Sequence, residues 1–463
     1  MTISPLPAPG TRPVTPLFTP FPDRFLWGAA TSAYQVEGSP LADGAGASIW
    51  HRFVQLPGTI QGGDTGHVAC DHYRRAGDDV TLMRDLGLNA YRLSIAWGRI
   101  LPTGRGRVNR PGLAFYERLV DALLASNIQP LITLYHWDLP AALEDLGGWL
   151  NPDSAAWFAE YTDVVVRALD DRVRLWITLN EPWVIVDGGY MRGALAPGHQ
   201  SPAEAGLAAY HLLRAHAAAV DAYRASGRHQ IGLAVNLEPQ YPATTGTADR
   251  DAAARMDDYF NKQFLDPVFL GTSPASLRDV YGGVFAGGPE HDLAPIRRPI
   301  DFLGINYYSR SVVRADPAAR PAQAARVIQP QSAYTDMGWE IYPAGLTDIL
   351  RWVRDRYGPI PLYITENGAA FLEPDASDGT RLEDDQRIDY LRRHLRAAGD
   401  AMAAGVDLRG YFVWSLLDNF EWNFGYAKRF GIVHVDRQTL RRTPKASAYF
   451  YRDVIRGNGA NLG

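Results

Sequence analysis

The sequence predicts an α/β protein built as a single (β/α)8 barrel, the TIM-barrel architecture, with its site at the C-terminal ends of the strands. Three observations lead there. Apolar runs of strand length recur eight times along the 463 residues. Stretches with apolar residues three and four apart, the spacing of an amphipathic helix, lie between them. The runs themselves are almost continuously apolar, as strands covered on both faces are.

In chain order the runs are Phe25–Tyr34, Ala90–Trp97, Pro130–Trp137, Leu175–Asn180, Ile231–Leu237, Phe302–Tyr308, Leu362–Thr365 and Gly410–Leu416. Val80, Met83 and Leu86 form a helical stripe that stops at Gly87. Leu113, Tyr116, Leu119, Val120, Leu123 and Leu124 form a longer one, with Pro111 in the first turn and Asn127 at its end. Phe158, Tyr161, Val165 and Leu169 form a third. Strand-then-helix repetition closes readily into a parallel barrel. The competing fold, a doubly wound open sheet, wants a glycine-rich phosphate turn after its first strand. Gly44-Ala45-Gly46 lacks the third glycine and reads as a loop. Residues 21–463 read as one (β/α)8 barrel domain, preceded by a flexible arm over residues 1–20. Long loops are expected at Ser39–Asp64, Pro239–Asp251, Ala315–Gly338 and Phe371–Gln386, where they would form a pocket rim.

Composition removes several function classes. A net charge of −5 with scattered Lys and Arg offers no footprint for nucleic acid. Met1 to Pro22 lacks the charged start and apolar centre of a secretory signal. No apolar run approaches the roughly 20 residues of a membrane span. The expectation is a cytoplasmic protein with no membrane partner. Cys70 is the single cysteine, so no internal disulfide forms, and a packed thiol near a helix start is expected. The 11 histidines show no His-Glu-x-x-His spacing, and no Gly-x-Ser-x-Gly elbow occurs. Neither a metal nor a cofactor is expected.

The chemistry sits at the strand ends. Leu175–Leu179 runs into Asn180-Glu181-Pro182, and Leu362–Ile364 runs into Thr365-Glu366-Asn367-Gly368. Two carboxylates at the ends of two buried strands suit glycosidic bond cleavage. One gives a proton to the leaving oxygen, and the other meets the positive charge at the sugar carbon. Arg92, on the second strand, is the cation expected beside Glu366, favouring its ionised form. Gln35, His136, Trp137, Asp138, Asn306, Tyr307, Tyr308, Trp414, Glu421 and Trp422 fall at or beyond other strand ends. A strand-end polar group is commonly a satisfied cap, but so many together would converge on one mouth.

The ordered set of motifs resembles glycoside hydrolase family 1, and within it the β-glucosidases. Its carriers are Phe25–Gln35, Leu134-Tyr135-His136-Trp137-Asp138-Leu139-Pro140, Asn180-Glu181-Pro182, Asn306-Tyr307-Tyr308, Ile364–Gly368 and Trp414–Trp422. The resemblance covers Phe25 to about Ala448. It implies Glu181 as acid/base and Glu366 as nucleophile, with Arg92, Tyr308 and Asn306 in the catalytic set. It implies Gln35, His136, Trp137, Asn180, Trp414, Glu421, Trp422 and Phe430 as sugar-holding groups. Trp183 and Trp339 resemble residues lining the aglycone side, with rim packing the plainer role for Trp339. Asp187-Gly188 departs from the family's apolar pattern and should border the entrance. His51 and His67 stand where Asp is common, away from the catalytic set.

The implied reaction is retaining, exo-acting removal of terminal β-D-glucosyl units from small β-glucosides and cello-oligosaccharides, with some galactosidase or fucosidase activity plausible. A 6-phospho-β-glycosidase is the alternative. Glu421 would repel a sugar phosphate, although Lys428 is present. A thioglucosidase would replace Glu181 with glutamine, and a non-catalytic sugar-binding barrel would be expected to have lost one glutamate. The oligomeric state and the balance between hydrolysis and transglycosylation are left open.

Overall fold

Eight strands pair in sequence order, all parallel, and the last closes on the first. The computed structural model describes residues 20–284, 292–373 and 382–462. The arm expected over residues 1–20 lies, apart from Pro20, outside them. The strands are β1 (Leu26–Ala30), β2 (Ala90–Ser94), β3 (Gln129–Tyr135), β4 (Leu175–Asn180), β5 (Gln230–Asn236), β6 (Phe302–Asn306), β7 (Leu362–Asn367) and β8 (Leu408–Trp414). The long helices between and after them are α1 (His72–Asp85), α2 (Arg110–Ala125), α3 (Ser154–Leu169), α4 (Pro202–Ser226), α5 (Thr247–Asp257), α6 (Pro343–Tyr357), α7 (Asp385–Ala403) and α8 (Ala446–Arg456). Closure rules out the open doubly wound sheet.

Strand alternation builds two packing layers. Ala30, Ala90, Leu131, Leu175, Ile177, Ala234, Phe302, Tyr363 and Phe412 form one cluster, the barrel interior. Ile132, Trp176, Leu233, Leu303, Ile364 and Tyr411 belong to a second, larger cluster with helix residues such as Tyr116, Tyr161, Leu212 and Leu395. Each fully buried large apolar side chain contributes about 1.5–3 kcal/mol, so the two layers dominate stability. The helix signals have the expected geometry. Pro111 sits in the first turn of α2, and Asn127 beyond its end takes φ +58°. Gly87, past α1, takes φ +74°.

The first strand is shorter than expected. It ends at Ala30, and Ala33–Val36 form a single helical turn. Thr31 N–H donates to Arg92 O and Ala33 N–H to the Ser94 hydroxyl, so β2 itself captures the chain as it leaves the sheet. The eighth strand is shifted two residues earlier at both ends, to Leu408–Trp414. Three expected loops carry structure. Ser39–Asp64 contains the helix Ile49–Phe53. Pro239–Asp251 contains the short strand Gln240–Pro242 and the start of α5. Ala315–Gly338 contains the strand Ala324–Arg326, which with Ser311–Ala315 and Gln240–Pro242 makes a small sheet. Of Phe371–Gln386, residues 374–381 lie outside the described part. Cys70 is fully buried just before α1, 3.2 Å from Asp418 O, and burial pushes its thiol up to about 12, so it is unreactive.

Candidate active site

The two glutamates face the barrel mouth because their strands break step. In β7 the interior residue is Tyr363, so regular alternation would turn Glu366 outward. The pairing with β6 shifts between Ile364 and Glu366, and that with β8 shifts between Ile364 and Asn367. These irregularities set Glu366 opposite Asn306 and turn it inward. In β4, Leu175 and Ile177 face the interior, and Leu179 would follow them. A shift between Ile177 and Asn180 sends Leu179 to the outer layer and Asn180 inward. Glu181 then takes φ +46°, a left-handed conformation that starts the turn into Pro182.

Arg92 lies at the centre of the floor. Its Nη1 donates to Glu366 Oε1 at 2.5 Å and its Nη2 to Asn180 Oδ1 at 2.5 Å. Its Nε reaches Thr133 Oγ1 at 3.2 Å, and Nη1 also meets Thr365 O. Tyr308 OH donates to the other Glu366 oxygen at 2.6 Å. Asn306 Nδ2 donates to Glu181 Oε1 at 2.8 Å and to Asn180 Oδ1 at 3.1 Å. Thr365 Oγ1 donates to Asn306 Oδ1 at 2.7 Å, which fixes which end of that amide faces Glu181.

The two carboxyls feel different fields. Burial and the neighbouring Glu366 charge raise Glu181 to about 8. Burial also raises Glu366, but Arg92, Tyr308 and Asn306 oppose it by stabilising the ionised form. Glu421 is raised to about 8 by burial and by Glu366, with Gln35 opposing. Burial, with the Arg92 charge, keeps His136 neutral far below its usual range. Asn180 Nδ2 therefore donates to His136 Nε2, at 3.1 Å.

A pocket of about 600 Å³ opens over this floor. His136, Trp137, Glu181, Trp183, Asn306, Tyr308, Trp339, Glu366, Trp414, Glu421, Trp422 and Phe430 line it. Gln35 and Asn180 stand just behind. Gln35 Nε2 donates to Phe420 O at 2.9 Å and to Glu421 Oε2 at 3.3 Å. Trp137, at φ +79°, donates from Nε1 to Asn180 O and packs against Trp422 with tilted rings, their centroids 4.5 Å apart. Trp339 both lines the pocket and packs 4.9 Å from Tyr308. Asp187 borders the pocket, as expected of its segment. His51 and His67 pack on each other, with ring centroids 4.8 Å apart, away from these walls.

Other wall residues went unrecognised in the sequence. Asn236 is the last residue of β5 and Glu238 lies two residues beyond it, so both carry the strand-end signal seen at the other strands. Tyr259, Phe260, Arg320, Arg326 and Met337 come from connecting segments and carry no strand-end signal. Lys428 donates to Asp336 O at 2.6 Å and lines a separate cavity with His434 and Arg437. Among the described residues, no cluster of three or more His, Cys, Asp or Glu is placed to hold a metal ion. No described helix is long and apolar enough to cross a membrane.

A family model described as "Glycosyl hydrolase family 1" matches residues 18–460. The chain is 48% identical over 441 residues to β-glucosidase A of Thermotoga maritima, covering 95% of this chain and 98% of that one. It is 42% identical to a bifunctional β-D-glucosidase/β-D-fucosidase of Bifidobacterium breve, covering 95% and 99%. The Thermotoga maritima β-glucosidase structure in complex with glucoimidazole superposes with a TM-score of 0.92 at 48% identity, covering 95% of this chain and 99% of that one. With a closed parallel barrel, two buried strand-end glutamates and this match along nearly its whole length, the chain is a glycoside hydrolase and belongs to glycosyl hydrolase family 1.

Proposed function

We propose that this enzyme is a retaining, exo-acting β-glucosidase that removes terminal non-reducing β-D-glucosyl units from β-glucosides and cello-oligosaccharides. The observation that carries the reading is the unequal treatment of two neighbouring buried carboxyls. Arg92 and Tyr308 hold Glu366 as an anion, while burial beside that anion keeps Glu181 protonated. That is the starting state a double displacement needs.

Glu366 attacks the anomeric carbon as the bond from that carbon to the aglycone oxygen breaks. Glu181 passes its proton to the leaving oxygen. The glycosyl ester so formed removes the Glu366 charge, and Glu181, no longer facing an anion, becomes the stronger acid. In its ionised form it then takes a proton from water as the water oxygen joins the anomeric carbon. The ester bond breaks, glucose leaves with retained configuration, and both carboxyls return to their first states. Asn180, fixed by Arg92 and Asn306, would hold the 2-hydroxyl, where contacts strengthen in the transition state. Trp414 offers a flat face to the sugar ring. Gln35 and Glu421, with His136, offer polar partners to its outer hydroxyls.

The position of Glu421 disfavours a 6-phosphate: the Glu366 charge raises the Glu421 carboxyl, and the same negative field would oppose a phosphate placed there. A β-D-fucosyl unit lacks the 6-hydroxyl, and the Bifidobacterium breve relative is described as acting on both sugars. Some fucosidase activity here is therefore expected. The test is turnover of p-nitrophenyl β-D-glucopyranoside beside its 6-phosphate, with the released anomer followed by NMR. The plain glucoside should turn over with β-glucose appearing first. First appearance of α-glucose would overturn retention, and turnover of the phosphate alone would overturn the substrate.

A further inference from the structure

The pocket is larger than one sugar requires, and its outer half differs chemically from its floor. One wall is apolar, where Trp183 packs 4.2 Å from Phe260, with Val184, Leu237 and Met256 beside them. Three arginines, Arg192, Arg320 and Arg326, line the same pocket. Two carboxylates accompany them, Asp187 and Glu238.

The carboxylates are already supplied with donors. Asp187 accepts from Arg192 through Oδ2 and from Tyr259 OH through Oδ1, at 2.7 Å. Glu238 accepts from Ser311 Oγ, from Gln240 Nε2 at 3.1 Å, and from Arg326 Nη2 at 2.8 and 3.0 Å. The guanidinium groups are far from used up. Arg192 and Arg326 each engage their carboxylate through one nitrogen, with side chains 63% and 49% exposed. Arg320 is exposed and has no ion pair or hydrogen bond among the described residues. A guanidinium carries five N–H donors in a planar fork. The outer pocket therefore presents a surplus of charged donors beside an aromatic wall. Arg192 and Arg326 also lie close enough together for both charges to act on Asp187.

We propose that the outer half of the pocket selects β-glucosides whose aglycone is an aromatic ring bearing a carboxylate, with the ring on the Trp183–Phe260 wall and the carboxylate on the rim of Arg192, Arg320 and Arg326. A carboxylate brings two acceptor oxygens and matches the guanidinium fork. A neutral aryl or alkyl aglycone would use the wall and leave the rim unmatched. The inference rests on the glucosidase reading and narrows it.

The test compares 4-carboxyphenyl β-D-glucopyranoside with its methyl ester at neutral pH. The ester is the more electron-withdrawing group, so chemistry alone favours it. The expected result is a kcat/KM for the acid about fivefold above that for the ester at low ionic strength, the span of one partly exposed ion pair of about 1 kcal/mol. Most of the preference should come from KM and should fade as salt is added. Arg320→Glu, at an exposed site where folding is not at stake, should reverse the preference. Equal or better turnover of the ester by the native enzyme, or a preference that Arg320→Glu leaves in place, would overturn the proposal. If p-nitrophenyl β-D-glucopyranoside were also inert, the glucosidase reading would fall and this inference with it. Turnover of that substrate without a preference for the acid would overturn the inference alone.

Discussion

The ends of β4 and β7 carry the same side chain in contrasting settings. Glu181 and Glu366 are almost equally buried, at 6% and 3% exposure. Glu366 has a guanidinium on one oxygen and a phenol on the other, whereas Glu181 has one neutral amide donor. Burial alone would raise both carboxyls alike. The partners, and above all where the positive charge sits, favour the ionised form of Glu366 far more than that of Glu181.

The hardest break of that contrast is to remove its anion. Glu366→Ala should reduce hydrolysis by several orders of magnitude, because the covalent route is lost; substantial turnover by the pure variant would contradict the nucleophile role. Glu181→Ala should cost roughly 10²–10⁴-fold on a glucoside with a poor leaving group and far less on a nitrophenolate, which needs little protonation. Equal losses on both would remove Glu181 as the acid.

Subtler changes should shift the balance without destroying it. The kcat/KM profile of the native enzyme should be bell-shaped. Activity falls as pH drops and Glu366 takes up a proton, and it falls again as pH rises past about 8 and Glu181 loses its own. Tyr308→Phe removes a donor that favours the ionised form of Glu366. Its acidic limb should therefore move to higher pH by about one unit, the equivalent of one hydrogen bond to a charged group. An unmoved limb would show that Tyr308 does not set that ionisation. The smallest effect is expected from Glu421→Ser, which should weaken glucoside turnover mainly through KM and leave the fold intact. An unchanged kcat/KM would show that Glu421 is not a sugar ligand.

Much of this was legible in the sequence because barrel strands are apolar and their ends are not. All eight strands lie where apolar runs end in polar groups, and both glutamates follow such runs. The bulges in β4 and β7 were not legible. Leu175–Leu179 and Leu362–Ile364 are apolar on both faces, so their alternation carries no mark of the residue at which it slips. The first apolar run outlasts its strand because Ala33 and Tyr34, in the helical turn that follows, are apolar too. What ends it is the pairing of Thr31 and Ala33 with β2, a contact between residues about 60 positions apart. The outer wall was the least legible part. Arg320, Arg326 and Phe260 sit in connecting segments whose path over the mouth is set by tertiary packing.

One side chain on the floor binds four strands at once. Arg92 extends from β2 to Thr133 on β3, Asn180 on β4, and Thr365 and Glu366 on β7. On the double-displacement route, the glycosyl ester cancels the anion facing this cation while leaving the cation sealed from water. The counter-charge then passes to ionised Glu181, which feels the Arg92 charge without a direct hydrogen bond to it, so a buried cation loses its paired anion until hydrolysis or transfer restores it. The residue that keeps the nucleophile ready thus also sets a clock on the intermediate, and it cannot be retuned for one task without disturbing the staves of the barrel it holds together.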